Sequence, residues 1–501
     1  MKRRHFLTKS LAAGSLGIGL NANAAPIPGL TTEQAHSGAK EGFAHFQELN
    51  GALDRSAMQR GWATDVDPSY RHAPQSAIED LKDRKFGIRI HWGLYCMIGS
   101  DASWALAGAN KQFWDNYNVF YQFFDPTSFN ADSWMDLFAE GGVKYFTFTT
   151  KHHDGFCMWP TKTMQDSIKL TPKGYSYGGV ENTEKLVHSY SILDGPYKKD
   201  IVRSMVDAGR RKGMGVGLYY SHVDWHDPAF AWDPFNQYYD PKFTRESDPQ
   251  RWKTFVAHER EQLRELMSEY GKVDYLDFDI GWPQAAAEDI AEITMMVRKM
   301  QPDVIIRDRG IGAYGDYRTP EREVPGGPAH GVWKVIYPCG EAFSYLPNDN
   351  YKPAEWILEN LIGITAKGGN FEVGFGPMPS GEWPPETIER LKYTGAWLRV
   401  NGEAIYGTRP RKLFREGKNV WFTSSKDGRY VYAISIGWPG KTLTTNSVRA
   451  KKGSEIRMLG VDQPLSWWAE GYSLNISIPP HVAEHKPCLQ AYSFKILAEP
   501  E

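Results

Sequence analysis

The feature that most constrains the fold is an alternation that begins near Phe86 and continues past Phe375. Short runs rich in β-branched and aromatic residues lie at 86–91, 145–150, 215–220, 273–279, 304–308, 332–337 and 370–375, and most end in polar residues. Between most of them lie stretches of helical character, at 132–141, 199–213, 249–270, 285–300 and 354–366. Strands alternating with helices predict a parallel sheet joined by right-handed crossovers. Seven or eight such units fit a (β/α)₈-like barrel better than an open sheet. Seven strands are legible, and the eighth leaves only a weak trace.

After Tyr406 the texture changes. Runs at 420–423 and 430–436 alternate in polarity around Asp427-Gly428, a hairpin turn signal, and short runs follow at 455–458 and 474–478. No helix is expected there. The chain therefore divides into a barrel over 81–408 and a C-terminal antiparallel β-sandwich over 409–501. No low-complexity linker separates the two, which predicts that they pack together. Residues 25–80, with an amphipathic stretch at 41–54, read as a segment wrapping the barrel.

Residues 1–24 read as a signal peptide. Lys2-Arg3-Arg4-His5-Phe6-Leu7 precedes an apolar stretch from Leu11 to Leu20, and Ala22-Asn23-Ala24 offers a small-x-small cleavage site. The paired arginines resemble a twin-arginine signal, so a periplasmic or secreted bacterial location is expected. The apolar stretch is too short for a membrane anchor, and no Cys follows the cleavage site to carry a lipid. The net charge of −2 becomes −6 without the leader, which gives none of the basic footprint of a nucleic-acid partner. Four scattered cysteines form no CxxC pair and predict isolated buried thiols. Aromatic residues reach 14%, with 18 Trp, which suits a large core and also sugar-stacking walls.

Barrels place their chemistry at the C-terminal ends of the strands. Those ends read Ile90-His91-Trp92-Gly93, Lys151-His152-His153-Asp154-Gly155, Tyr219-Tyr220-Ser221-His222, Asp277-Phe278-Asp279 and Arg307-Asp308-Arg309-Gly310. A lone histidine at such a place is more often a satisfied structural residue, but several converging on one mouth point to a site. His91, His152, His153 and Asp279 have the chemistry of zinc ligands. Against that, adjacent histidines in strand geometry point to opposite faces, and no HxH pair occurs on the first strand; no metal is expected. Two carboxylates are the other option. Asp279 stands in an apolar run, where an acid without a role is costly. Asp277 shares its face, and two acids so close repel unless a cation such as Arg309 intervenes.

The motifs themselves resemble glycoside hydrolase family 29, the α-L-fucosidases. Phe86-Gly87-Ile88-Arg89-Ile90-His91-Trp92-Gly93, then Lys151-His152-His153-Asp154-Gly155-Phe156 with Trp159-Pro160, then Gly217-Leu218-Tyr219-Tyr220-Ser221 follow that family's order. Lys367-Gly368-Gly369-Asn370 and Asn401-Gly402-Glu403-Ala404-Ile405-Tyr406-Gly407-Thr408 complete it. The resemblance implies Asp279 as nucleophile, placed after Tyr270-Gly271, and Glu321 as acid/base, placed after Asp316-Tyr317-Arg318-Thr319-Pro320. Glu323 and Glu341 compete for the second role, and Glu321 reads otherwise as a solvated loop acid. His91, His152 and His153 are expected to meet sugar hydroxyls, with Trp92, Trp104, Tyr220 and Phe343 as walls and Asp277 and Arg309 beside them. No cofactor is implied.

The resemblance implies an exo-acting retaining hydrolase that releases a terminal α-L-fucosyl residue from an oligosaccharide or polysaccharide by double displacement. The departures leave other sugars open. Asp277 stands where the family has Trp, Ala102-Ser103-Trp104-Ala105 replaces Ser-Glu-Trp-Tyr, Trp333-Lys334 replaces Trp-Glu, and Gly374-Phe375-Gly376-Pro377 replaces Asn-Val-Gly-Pro. Asp277 is expected to stand in for the acid missing at Ser103. An α-L-galactosidase or another α-L-glycosidase is the alternative within the class, and a non-catalytic carbohydrate-binding protein the alternative outside it.

Overall fold

The computed structural model describes residues 65–171, 175–176, 179–180, 183–230, 242–279, 287–329 and 331–499. The expected leader and most of the wrapping segment, including its amphipathic stretch, lie outside them. All seven expected strands form: β1 (Phe86–Ile90), β2 (Tyr145–Lys151), β3 (Gly215–Ser221), β4 (Tyr275–Asp279), β5 (Ile305–Ile306), β6 (Lys334–Pro338) and β7 (Asn370–Phe375). They make one parallel sheet in the order β6-β7-β1-β2-β3-β4-β5. β1 to β4 and β7 are buried along their whole length, as expected of strands covered on both faces.

The gap between β5 and β6 is spanned by an extended segment, 317–321. Parallel bridges join Arg307 to Tyr317, Arg318 to Trp333 and Glu321 to Ile336. This is the missing eighth stave. It lacks a strand's sequence signature because Pro320 cannot donate to a ladder and the run Arg-Thr-Pro-Glu carries no apolar pattern.

Helices cover the sheet: α1 (Gln75–Arg84), α2 (Lys111–Asn118), α3 (Ala131–Glu140), α4 (Ile201–Arg211), α5 (Pro249–Glu269), α6 (Ala287–Met300), α7 (Ala354–Ala366) and α8 (Pro385–Asn401). Their starts follow capping chemistry. Asn110, Asn130, Asp200 and Asp248 each accept a hydrogen bond from the backbone three residues on, satisfying an orphan N–H. α1, α2 and α8 were not foreseen. In α8 the apolar stripe is broken by Gly395, where an added Cβ would fall 1.8 Å from the Glu140 carbonyl oxygen of α3. The two helices pack backbone to backbone there. An unforeseen hairpin, Gln165–Leu170 with Thr183–His188, follows β2.

β8 (Thr408–Glu416), β9 (Val420–Ser425), β10 (Tyr430–Ile436), β11 (Thr442–Thr445), β12 (Ile456–Met458), β13 (Trp467–Glu470), β14 (Ser473–Ser477) and β15 (Ala491–Leu497) build the C-terminal part. Two antiparallel sheets, β8-β9-β10-β15-β12 and β11-β14-β13, enclose Phe422, Ala433, Ile456, Ile476 and Phe494. A short helix, Pro480–Glu484, breaks the all-strand expectation. The sandwich packs on the barrel: the Trp397 indole of α8 donates to the Ala491 carbonyl at 2.8 Å, and Arg409 reaches Asp83 at 2.7 Å. Cys96, Cys157 and Cys339 are buried and Cys488 is half-buried, all as free thiols. Among the described residues no helix is long and apolar enough to cross a membrane.

Candidate active site

β4 carries Asp279 at its C-terminal end, and β3 and the end of β5 bring its partners. The Tyr219 hydroxyl donates to Asp279 Oδ2 at 2.8 Å, and Arg309 Nη1 donates to Oδ1 at 2.7 Å. The same Nη1 lies 2.7 Å from Glu321 Oε2. The facing oxygens of the two acids are therefore no further apart than twice that distance. Arg307 sits behind, 3.8 Å from each carboxylate, and its Nε donates to Thr319 Oγ1 at 2.6 Å. The Asp279 side chain is 12% exposed and that of Glu321 27% exposed, so the second acid is the more open to solvent. Glu323 and Glu341 are exposed on the loops.

Burial alone would raise the Asp279 carboxyl, but the Arg309 and Arg307 charges outweigh it and hold the group well below the usual carboxylate range. Glu321 is lowered by the same balance: burial pushes it up, Arg309 pulls it further down, and the Asp279 charge opposes. Both acids are ionised in this state, bridged by one guanidinium.

Three imidazoles form the floor, each anchored at Nδ1 by a hydroxyl. Thr149 Oγ1 holds His91 at 3.0 Å, Ser103 Oγ holds His152 at 2.5 Å, and Ser221 Oγ holds His153 at 2.6 Å. The Ser221 proton goes to the Val223 carbonyl at 2.8 Å, so Ser221 accepts from His153 Nδ1–H and leaves Nε2 as an acceptor. Burial keeps all three rings neutral: His91 and His152 lie well below the ordinary value and His153 falls to about 4. His152 and His153 both face the cavity, with ring centroids 4.0 Å apart, because β2 ends at Lys151 after a register shift. The opposite-face geometry expected of a strand pair does not apply.

His152, His153 and Asp279 present ligand atoms within 4.8 Å of one another. Both Asp279 oxygens are already engaged, and two arginines stand beside it. That setting repels a cation and suits sugar hydroxyls. Trp104 packs its ring against His153 at 4.9 Å and Phe343 against His91 at 5.3 Å, forming walls. His153 Nε2, Arg307 Nη2 and Arg309 Nη2 are buried without a hydrogen-bond partner, as donors and acceptors awaiting a ligand would be.

Three expected site residues lie elsewhere. Trp92 points to the outer face: its indole donates to the Met378 carbonyl at 3.1 Å and its ring packs on Trp134 of α3 at 5.2 Å. Alternation along the strand puts His91 in and Trp92 out. Tyr220 is likewise outward, donating to Gln262 of α5 at 2.7 Å, and Tyr219 takes the inward place. Asp277 does face inward, but one layer deeper. It is fully buried and held by Arg89, by the Tyr317 hydroxyl and by Lys334 Nζ at 3.2 Å. Arg89 and Lys334 also reach Glu372, at 3.1 and 2.6 Å. This closed quartet leaves Asp277 no group for a ligand, so it does not replace the acid missing at Ser103.

Against this geometry the comparisons are decisive. The Alpha-L-fucosidase family model matches residues 58–403, and the Alpha-L-fucosidase C-terminal domain model matches residues 416–497. The chain belongs to the α-L-fucosidase family. It is a glycoside hydrolase, and α-L-fucosidase activity on a fucosylated glycan is supported at the level of the family. Human plasma α-L-fucosidase is 27% identical over 459 residues, covering 85% of this chain and 91% of that protein. Thermotoga maritima α-fucosidase, solved with a mechanism-based inhibitor, is 25% identical with a TM-score of 0.67, covering 85% of this chain and all of that one. An α-L-fucosidase from Bacteroides thetaiotaomicron, solved as a trapped covalent intermediate, is 22% identical with a TM-score of 0.69, covering 89% of this chain; it bears on the fold.

Proposed function

We propose that this α-L-fucosidase-family enzyme releases terminal α-L-fucosyl residues with retention, by double displacement, using Asp279 as nucleophile and Glu321 as acid/base. The observation that carries this reading is the shared Arg309 Nη1, 2.7 Å from an oxygen of each acid. Retaining pairs stand about 5–5.5 Å apart, whereas inverting pairs stand about 6.5–9.5 Å apart to admit a water. The facing oxygens are at most twice 2.7 Å apart, which stops short of the inverting range.

The sugar enters with its hydroxyls on the unpartnered His153 Nε2 and the Arg307 and Arg309 Nη2 atoms, between the Trp104 and Phe343 walls. The glycosidic oxygen separates Glu321 from Arg309. Burial and the Asp279 charge, both of which raise Glu321, then dominate and favour the protonated acid. Asp279 attacks the anomeric carbon as Glu321 gives its proton to the leaving oxygen. Esterification removes the Asp279 charge, so Glu321 falls again and serves as base toward water. The first 24 residues we read as a twin-arginine leader, which places the enzyme in the periplasm or outside the cell; fractionation of cells carrying Arg3→Lys with Arg4→Lys tests this, and unchanged export would refute it.

A panel of nitrophenyl α-L-fucoside, α-L-galactoside, α-L-glucoside and β-D-galactoside tests the specificity. The fucoside should turn over fastest; preference for another sugar, or turnover of none, would overturn the reading. Asp279→Ala should lose turnover and recover with azide, giving the β-fucosyl azide. Full activity in that variant would remove Asp279 as nucleophile.

A further inference from the structure

Two residues with side chains sit in left-handed backbone at the rim of the site, Ala102 (φ 50°) and Arg322 (φ 54°). Such conformations are strained outside glycine and persist only where surrounding contacts fix them. Arg322 directly follows Glu321. Before it, the stave is pinned to β6: Ile336 N donates to the Pro320 carbonyl at 3.1 Å, and Arg322 N donates to the Ile336 carbonyl at 3.0 Å. At Arg322 the chain turns out of the barrel.

The Arg322 side chain then fastens three loops. Nη2 donates to Asp101 Oδ2 at 2.9 Å and Nη1 to the Glu341 carbonyl at 2.8 Å. The guanidinium lies over the Phe343 ring, 5.0 Å from its centroid, and the same ring packs against His91. Asp101 completes the clamp by accepting from Phe343 N through Oδ1 at 2.9 Å. The next residues lock the same loops: Ala102 N donates to Ser344 Oγ at 2.7 Å, and Ser103 anchors His152.

We propose that Arg322 and Asp101 are positioning residues that aim the Glu321 carboxyl at the leaving-group oxygen and fix Phe343 as the wall of the sugar subsite. The proposal rests on the reading of Glu321 as acid/base. The Arg322–Asp101 ion pair ties the residue after Glu321 to the loop after β1 that also carries Ser103, the anchor of His152. Loss of the pair leaves Glu321 on its strand but frees the left-handed turn behind it, so proton delivery suffers more than sugar binding.

Leaving-group dependence tests this, because a fault confined to the fold lowers all substrates alike. kcat/KM is measured on dinitrophenyl α-L-fucoside, whose leaving group needs little protonation, and on phenyl α-L-fucoside, which needs much. Arg322→Ala should lose about tenfold or more on the phenyl substrate than on the dinitrophenyl one, a fraction of what a general acid contributes. Arg322→Lys should recover part of the difference. Asp101→Asn keeps the Oδ1 acceptor for Phe343 N but turns an NH2 toward Arg322, so it breaks the ion pair alone; it should show the same selective loss, and it decides the matter if Arg322→Ala does not fold. Equal losses on both substrates, or none, in the folded variants would overturn the proposal. Glu321→Gln is the reference. If it too lacks leaving-group dependence, the acid/base reading fails; if it shows the dependence and the Arg322 and Asp101 variants do not, only the clamp fails.

Discussion

Tyr219→Phe isolates one interaction at the nucleophile. The variant removes a hydroxyl that donates to Asp279 Oδ2 over 2.8 Å and leaves the ring stacked on His152, with centroids 5.5 Å apart. In the second half of a double displacement, negative charge returns to Asp279 as the glycosyl ester breaks, and the hydrogen bond strengthens with it. A hydrogen bond to a charged group contributes about 1.5–3 kcal/mol. With about half of that realised in the transition state, the loss is ~0.7–1.5 kcal/mol, or roughly three- to twelvefold in the rate of deglycosylation. In the first half the charge disappears, the bond weakens, and its removal slows that step little. On a nitrophenyl fucoside the variant should therefore accumulate the glycosyl-enzyme: a pre-steady-state burst, with kcat and KM falling together. Tyr220→Phe is the matched control, since its hydroxyl points to Gln262 on the outer side. Unchanged kcat with no burst in Tyr219→Phe, or an equal effect in Tyr220→Phe, would refute the reasoning.

Other outcomes follow from the charges. Arg309→Gln removes the cation that lowers both acids, so both rise; the kcat/KM profile should be slower and displaced as a whole to higher pH, and an unmoved profile or one displaced to lower pH would contradict the shared-cation arrangement. Asp277→Asn leaves Arg89 and Lys334 short of a buried partner, a loss of about 3–5 kcal/mol; thermal unfolding should fall sharply, and an unchanged midpoint would count against the quartet. Burial lifts Asp154 to about 7, above its ordinary value near 3.9. Its stabilising contribution is thus complete below the ordinary carboxylate range and is lost as pH rises through about 7. Asp154→Asn retains the acceptor for the Tyr117 hydroxyl at 2.6 Å, so its melting temperature should gain on the parent's as pH climbs from about 4 to about 7 and the gap should level off above that; a gap that stays constant from about 4 to about 7 would show that Asp154 does not hold its proton.

The strands were legible because runs such as Tyr145 to Thr150 carry β-formers between turn residues, and the converging strand ends marked the mouth. Depth and facing were not. Trp92 and Tyr220 were misplaced by one residue because a strand buried on both faces shows no polar alternation to say which side is in. Asp277 shares its face with Asp279, but a period of two says nothing about which layer of the barrel a side chain fills. Arg89, Lys334 and Glu372 come from three distant strands, so their meeting with Asp277 has no signature along the chain. Ser103, Thr149 and Ser221 were passed over singly, since a hydroxyl beside a histidine is common; only their shared position at three Nδ1 atoms gives them a role. Glu321 was found by resemblance. Its strand is held by neighbours on both sides and not by its own apolar pattern.

The stereochemistry of the first-formed sugar tests the central geometry most directly. Proton NMR of the reaction on nitrophenyl α-L-fucoside, followed before mutarotation, should show α-L-fucose appearing first, because two acids bridged by one guanidinium nitrogen leave no room for a water between nucleophile and sugar. If β-L-fucose appears first, Asp279 acts on water and not on the anomeric carbon, and the account of the site is wrong.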